Sequence, residues 1–167
     1  MRSSIRLIPI TLLMAFFPIA GGAQTAEPVV DFKYEVEAAR DQMDKQRRIV
    51  LAGELNLTAE EREAFWPLFN KYAAELREAG DLQVKLIGDY ADQYDRMTNE
   101  FAERMLDEYI DYHQQALKVK KKYIPRFKKV IPSTKVARLY QVESKLASVI
   151  DFNLASKIPL VQDEKSN

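Results

Sequence analysis

Between Thr58 and Ile131 the chain contains almost nothing that stops a helix. Phe65, Phe69, Tyr72, Leu76, Ala79, Leu86, Tyr90 and Met97 recur at steps mostly of three or four, the spacing of one buried helical face. A second seam follows: Ala102, Met105, Leu106, Tyr109, His113, Ala116, Leu117, Tyr123, Ile124, Phe127 and Val130. Only the short link Met97-Thr98 separates the two. Two helices of about 35 residues, each ~50 Å long, joined by so short a link fold back as an antiparallel hairpin. No run alternates apolar and polar residues with the two-residue period of a strand.

The helix boundaries are written locally. Thr58-Ala59-Glu60-Glu61 is a capping box, in which the threonine oxygen takes a backbone N–H and Glu61 reaches back. Leu57 stands at the staple position before it. Thr98 is placed to cap the helix from about Asn99 to Ile131, and Ser133 to cap a last helix from about Thr134 to Ser156. That last helix buries Val136, Leu139, Tyr140, Leu146, Val149 and Ile150. A first helix spans about Asp31 to Leu55, with Asp41–Lys45 and Asp44–Arg48 as i,i+4 pairs. Pro67 and Pro125 each delete one backbone bond and predict kinks, and Gly80 and Gly88 weaken the middle of the second helix. The fold class expected is all-α: an elongated hairpin of two long kinked helices, coiled-coil-like in pairing, with two flanking helices.

Residues 1–23 have the three parts of a secretory signal. Arg2 and Arg6 precede an apolar run from Leu7 to Ala20, and Gly21-Gly22-Ala23 offers small residues for cleavage before Gln24. The run is shorter than the ~20 residues of a spanning helix and is interrupted by Pro9 and Pro18. The expected organisation is therefore a signal at 1–23, one helical domain at 24–158 and a tail at 159–167, with the domain exported to the periplasm. The chain has no cysteine, so disulfides, thiol chemistry and thiolate metal sites are excluded and stability must come from packing. Without Arg2 and Arg6, 23 basic residues stand against 25 acidic ones, a net charge of −2 that argues against general nucleic-acid binding.

No constellation for catalysis emerges. A dinuclear carboxylate centre in a helical bundle wants Glu-x-x-His on two helices, and the only histidine, His113, has Ile110 three residues before it. His113 reads as a core or boundary residue. Glu100, Glu103, Asp107 and Asp111 read as a solvated face, with weak cation binding the alternative. There is no Gly-x-Ser-x-Gly elbow, and Asp111 and His113 point to different faces of their helix. Neither an enzyme nor a cofactor is expected.

Charge is segregated instead. From Glu54 to Asp111 there are fifteen acidic and six basic residues, whereas Lys118 to Arg138 holds nine basic residues and no acidic one. Lys118, Lys122, Arg126 and Lys129 fall on one stripe beside Tyr123, Ile124 and Phe127. This is either a solvated face favoured by the helix dipole, or a surface for acidic or unfolded polypeptide or anionic lipid. In Phe65-Trp66-Pro67-Leu68-Phe69 the ring of Trp66 falls off the inward stripe, as a partly exposed contact residue would.

Leu55-Asn56-Leu57-Thr58-Ala59-Glu60-Glu61 resembles the Leu-Thr-x-x-Gln helix start of the Spy/CpxP periplasmic proteins, with Glu61 in place of Gln. Ile131-Pro132-Ser133-Thr134-Lys135-Val136-Ala137-Arg138-Leu139 stands where that family has its second copy and shares the helix restart without the Leu-Thr pair. The Phe-Trp-Pro-Leu and Lys-Val-Ala-Arg runs are also similar to small proteobacterial periplasmic proteins. The resemblance implies a cradle-shaped helical homodimer that binds unfolded clients without ATP in an envelope stress response, or that restrains a membrane-bound sensor kinase. On this sequence the client surface expected is Lys118, Lys122, Tyr123, Arg126, Phe127 and Lys129, with Trp66.

Overall fold

The computed structural model describes residues 32–161. The expected signal at 1–23 and the last residues of the tail lie outside them. The described chain is all-helical: α1 (Phe32–Glu54), α2 (Ala59–Gln93), a short 3-10 turn (Tyr94–Arg96), α3 (Asn99–Phe127) and α4 (Ser133–Ala155). Pro67 and Pro125 lie inside continuous helices and face solvent, where the carbonyls they leave free meet water.

The caps explain why the helices start where they do. The Glu61 N–H donates to Thr58 Oγ1 at 3.2 Å and the Thr58 N–H to Glu61 Oε2 at 2.8 Å, so the capping box closes in both directions. Leu57 is buried in front of it. Thr98 caps α3 through the Phe101 N–H at 3.2 Å. At α4 the expectation fails. Pro132, not Ser133, is the boundary residue, and no side chain caps the helix. Proline arrives with φ at −57° and its own carbonyl accepts from Lys135 and Val136, so the helix begins without a hydroxyl.

Cross-helix partners fix the directions of the helices. Along α2 and α3 the pairs run in opposite order: Phe65 meets Phe127, Glu75 meets Lys122 and Lys85 meets Glu108. The same reversal relates α1 to α2, through Arg48–Asn70 and Arg40–Asp81, and α1 to α4, through Arg47–Glu143 and the Arg138 side chain on Glu54 O. Each helix is thus antiparallel to the next in sequence, and α1 also lies against α4.

The core gathers where the end of α1, the start of α2, the end of α3 and the start of α4 meet. Leu51, Leu55, Phe65, Phe69, Tyr72, Tyr123, Phe127 and Leu139 are each less than 2% exposed. Their rings form a chain: Phe65–Phe69 at 5.6 Å, Phe65–Phe127 at 5.6 Å, Tyr72–Phe127 at 5.5 Å and Tyr72–Tyr123 at 5.4 Å. These separations suit offset and edge-on contacts of aromatic quadrupoles.

The rest of α1 is held by charge. Its inward positions Glu37, Arg40, Asp44 and Arg47 precede Leu51 and Leu55 on the same face. The i,i+4 pairs expected within α1 do not form. Asp41 and Asp44 instead accept from Arg77 of α2 at 2.8 and 3.2 Å, Glu37 also pairs with Arg77, and Arg48 reaches Asn70. Arg40 lies so close to α2 that its Nη2 would stand 3.2 Å from a Cβ at Gly80, and it donates to Arg77 O at 2.7 Å. That glycine, a weak point by helix propensity, admits the guanidinium to the backbone.

Candidate binding surface

At 100° per residue Lys118, Lys122 and Arg126 stand on one side of α3, Lys129 follows in the turn just past its end, and all four are exposed. Lys122 donates to both oxygens of Glu75 at 2.7 Å, and Arg126 lies 4.9 Å above the Tyr123 ring. Lys118, Arg126 and Lys129, and the neighbouring Lys121 and Lys128, form no ion pair among the described residues. Their charge therefore faces water. Hydrogen bonds from Lys122 and then from the Tyr123 hydroxyl, which donates to Oε1 at 2.8 Å, hold the Glu75 carboxyl below the usual range. Burial, and then Glu75, push the Tyr123 hydroxyl up.

The aromatic part of the expected surface is not at the surface. Tyr123 and Phe127 are 1% and 0% exposed because they occupy the inward face of α3, wedged against Tyr72 and Phe65. Trp66 is half-buried but on another side of the molecule. It packs on Phe65 and Phe69 of its own helix, and the Arg48 guanidinium of α1 covers it at 4.7 Å. Two further cations of the basic run are structural. Lys135 binds Asn56 O at 2.7 Å and Glu61 Oε2 at 2.6 Å, and Arg138 binds Glu54 O at 3.1 Å. They cap the carbonyl end of α1, which has no cation of its own in its last turn. The chain turns there through Asn56 at φ 46°, a left-handed conformation that asparagine tolerates.

A second surface lies on an open flank of the hairpin, as two long helices beside two shorter ones lead one to expect, but on residues that the sequence assigns to the buried seam of α3. Leu106, Tyr109, Ile110 and Leu117 are 66, 50, 49 and 50% exposed, and His113 between them is exposed with its ring 4.4 Å from that of Tyr109. The seam of α3 was expected to be core along its whole width. In this half of the helix α2 and α4 cover only one side of it, through Lys85–Glu108 and through Tyr112, whose hydroxyl burial and Asp151 push up. The apolar strip lies about 140° round the helix from the basic one. On α4 Val149, expected in the core, is 57% exposed and Phe152 is 74% exposed.

A cleft of about 210 Å³ between α1 and α2 is lined by Asp44, Arg47, Arg48, Phe69, Asn70 and Arg77, among others. Arg47 and Arg77 are already paired, with Asp44 and Glu143 in one case and Glu37, Asp41 and Asp44 in the other. Little charge remains there for a ligand. Among the described residues no three His, Asp or Glu side chains converge as a metal site would need, and no helix is long and apolar enough to cross a membrane. Comparison with known protein families, curated proteins and solved structures finds no match to this chain.

Proposed function

We propose that this protein is an exported, ATP-independent client-binding protein of the holdase type, acting in the periplasm through the solvent face of α3. The observation that carries the reading is the ladder of exposed cations, Lys118, Lys121, Arg126, Lys128 and Lys129, unpaired within the described residues. Cations clustered along the second half of α3 and the turn that follows it attract acidic or unfolded polypeptide at long range. The exposed apolar side chains of α3 and α4 supply short-range contacts. Anionic lipid headgroups are a competing ligand for the same ladder.

The test is light scattering of a reduced, aggregating client with and without the purified protein. The variant Lys118→Gln/Arg126→Gln/Lys129→Gln leaves the Lys122–Glu75 pair and the core intact. Suppression that weakens with salt and is lost in the variant supports the reading, since exposed charges are screened within about 10 Å at 0.1 M salt. Suppression unchanged in the variant reduces the ladder to a solvated face. A second reading, an accessory or antagonist protein for a membrane signalling partner, draws on Val149 and Phe152. Two isolated apolar side chains on the last turns of α4 suit one dedicated partner better than varied clients. It predicts a single cross-linked partner and no effect on generic clients.

A further inference from the structure

The exposed strip of α3 is apolar in its middle and carries opposite charges at its two ends. Leu106, Ile110 and Leu117 are about half-exposed or more, and His113 among them is exposed. Glu103 and Asp107 flank the first end of the strip, and Lys118 and Lys121 the far end. All four are exposed, and none forms an ion pair among the described residues. The isolated helix gains nothing from this order. Glu103, Asp107 and Asp111 follow one another at four-residue steps, as do Lys118 and Lys122, and like charges at that spacing repel. The helix dipole favours acid at the start and base at the end only within the terminal turns, whereas Asp107 and Lys118 lie about two turns inside α3. They stand about 16 Å apart along the axis, too far to pair with each other.

We infer that the strip selects unfolded client segments by the order of their charges: a basic cluster, a short apolar run and an acidic cluster. The basic end lies on Glu103 and Asp107, and the acidic end on Lys118 and Lys121. The inference rests on the client reading and adds to it the class of segment bound. The ~16 Å from Asp107 to Lys118 is about five residues of extended chain at roughly 3.3 Å per residue. With a charged pair at each end, the recognised segment is about nine residues long. Its apolar side chains cover Leu106, Ile110 and Leu117 and remove their surface from water. Such a segment lies in either chain direction, because the match is to the order of charges in space. A wholly acidic segment meets repulsion at Glu103 and Asp107, and a wholly basic one at Lys118 and Lys121. Arg126 and Lys129, on another side of the helix, draw acidic chains in without reading them.

The experiment is fluorescence anisotropy with labelled peptides of about nine residues that share one apolar centre and differ at their ends. One carries a lysine pair and then a glutamate pair, one the reverse order, one lysine at both ends and one glutamate at both. At low salt the two mixed peptides should bind alike, and about fivefold or more tighter than either uniform one, as exposed pairs exchanged for repulsions require. Glu103→Lys/Asp107→Lys, at exposed positions, should make the glutamate-ended peptide the tightest. Ile110→Asp, at a half-exposed position, should weaken every peptide while circular dichroism is unchanged. Equal binding of the four by the wild type overturns the inference, as does a preference that the double variant leaves unchanged. So does a wild-type preference for glutamate at both ends, which is the cation ladder acting alone. Peptides that do not bind at all overturn it too; sedimentation and flotation with anionic vesicles then show whether a second copy or a membrane takes the strip. Suppression of client aggregation is scored separately. Suppression without peptide selectivity removes this inference and keeps the client reading, and selectivity without suppression does the reverse.

Discussion

Glu143 of α4 is the residue whose substitution separates charge from shape in this core. Its carboxylate is 5% exposed and lies where all four helices meet. Arg47 of α1 donates to Oε2 at 2.9 Å, and the Tyr72 hydroxyl of α2 stands 3.4 Å from the same oxygen. Oε1 has no hydrogen-bond partner. Burial pushes its pKa up; the positive charges of Arg47 and then Lys120 only partly oppose this. The folded state therefore holds a proton at Glu143 more tightly than the unfolded chain does. The stability this group contributes is full below the unfolded value near 4.5 and is lost as pH rises through the higher folded value.

Glu143→Gln keeps both hydrogen bonds and removes the buried charge. At neutral pH it should fall within about 1 kcal/mol of wild type, because losing charge assistance to Arg47 is offset by the desolvation no longer suffered. Glu143→Ala leaves Arg47 with Asp44 alone, strips Tyr72 of its acceptor and opens a void, and should cost about 2–4 kcal/mol. Urea denaturation followed by the fluorescence of Trp66, the only tryptophan, reports both. The sharper readout is the difference between wild type and Glu143→Gln, which should move in favour of wild type as pH falls from 7 towards 5. A Gln variant as unstable as the Ala variant, with no pH dependence in the difference, would refute the reasoning and show the ion pair to be stabilising as it stands.

Four further outcomes follow from individual residues. Thr58→Ala should cost about 1 kcal/mol in thermal unfolding. Glu61, held low by hydrogen bonds from Lys135 and then from the Thr58 N–H, contributes stability present at neutral pH and lost as pH falls below the ordinary carboxylate range, so Glu61→Gln should flatten part of the acid limb. Gly88→Ala should stabilise by about 0.5–1 kcal/mol, since a Cβ there meets nothing within 4 Å and only the helix propensity changes. Arg77→Ala should change global stability by less than about 1 kcal/mol, because its partners are partly exposed, yet speed amide exchange from Glu37 to Asp44.

What the sequence made legible was local. The capping box at Thr58, the cap at Thr98 and the two long seams depend on residues within a turn or two of one another, and all four helices stand within a few residues of their expected bounds. The failures depend on what lies across the fold. A seam such as Leu106–Leu117 marks an apolar face but not whether the same chain covers it. Tyr123 and Phe127 sat on both the core seam and the basic stripe, and packing against Tyr72 and Phe65 decided for the core. The charged side of α1 had pairs available within its own helix, and Arg77 took them because a residue of α2 reaches several carboxylates at once. Glu143 did carry a signal, since it stands four residues from Leu139 and three from Leu146 on the inward face, a place where a carboxylate needs explaining.

The seal on α1 has a consequence for the order of events in folding. The carbonyl of its last residue, Glu54, is satisfied by Arg138 and that of Asn56 just beyond it by Lys135, both of which the chain supplies some eighty residues later. A chain still being made can pair α2 with α3, but it cannot close the end of α1 until α4 has arrived. The first helix to appear is thus among the last to be locked, and the ends of the described fold commit together. Until then Leu51, Leu55 and the face of Phe69 remain open to whatever meets the chain on the way.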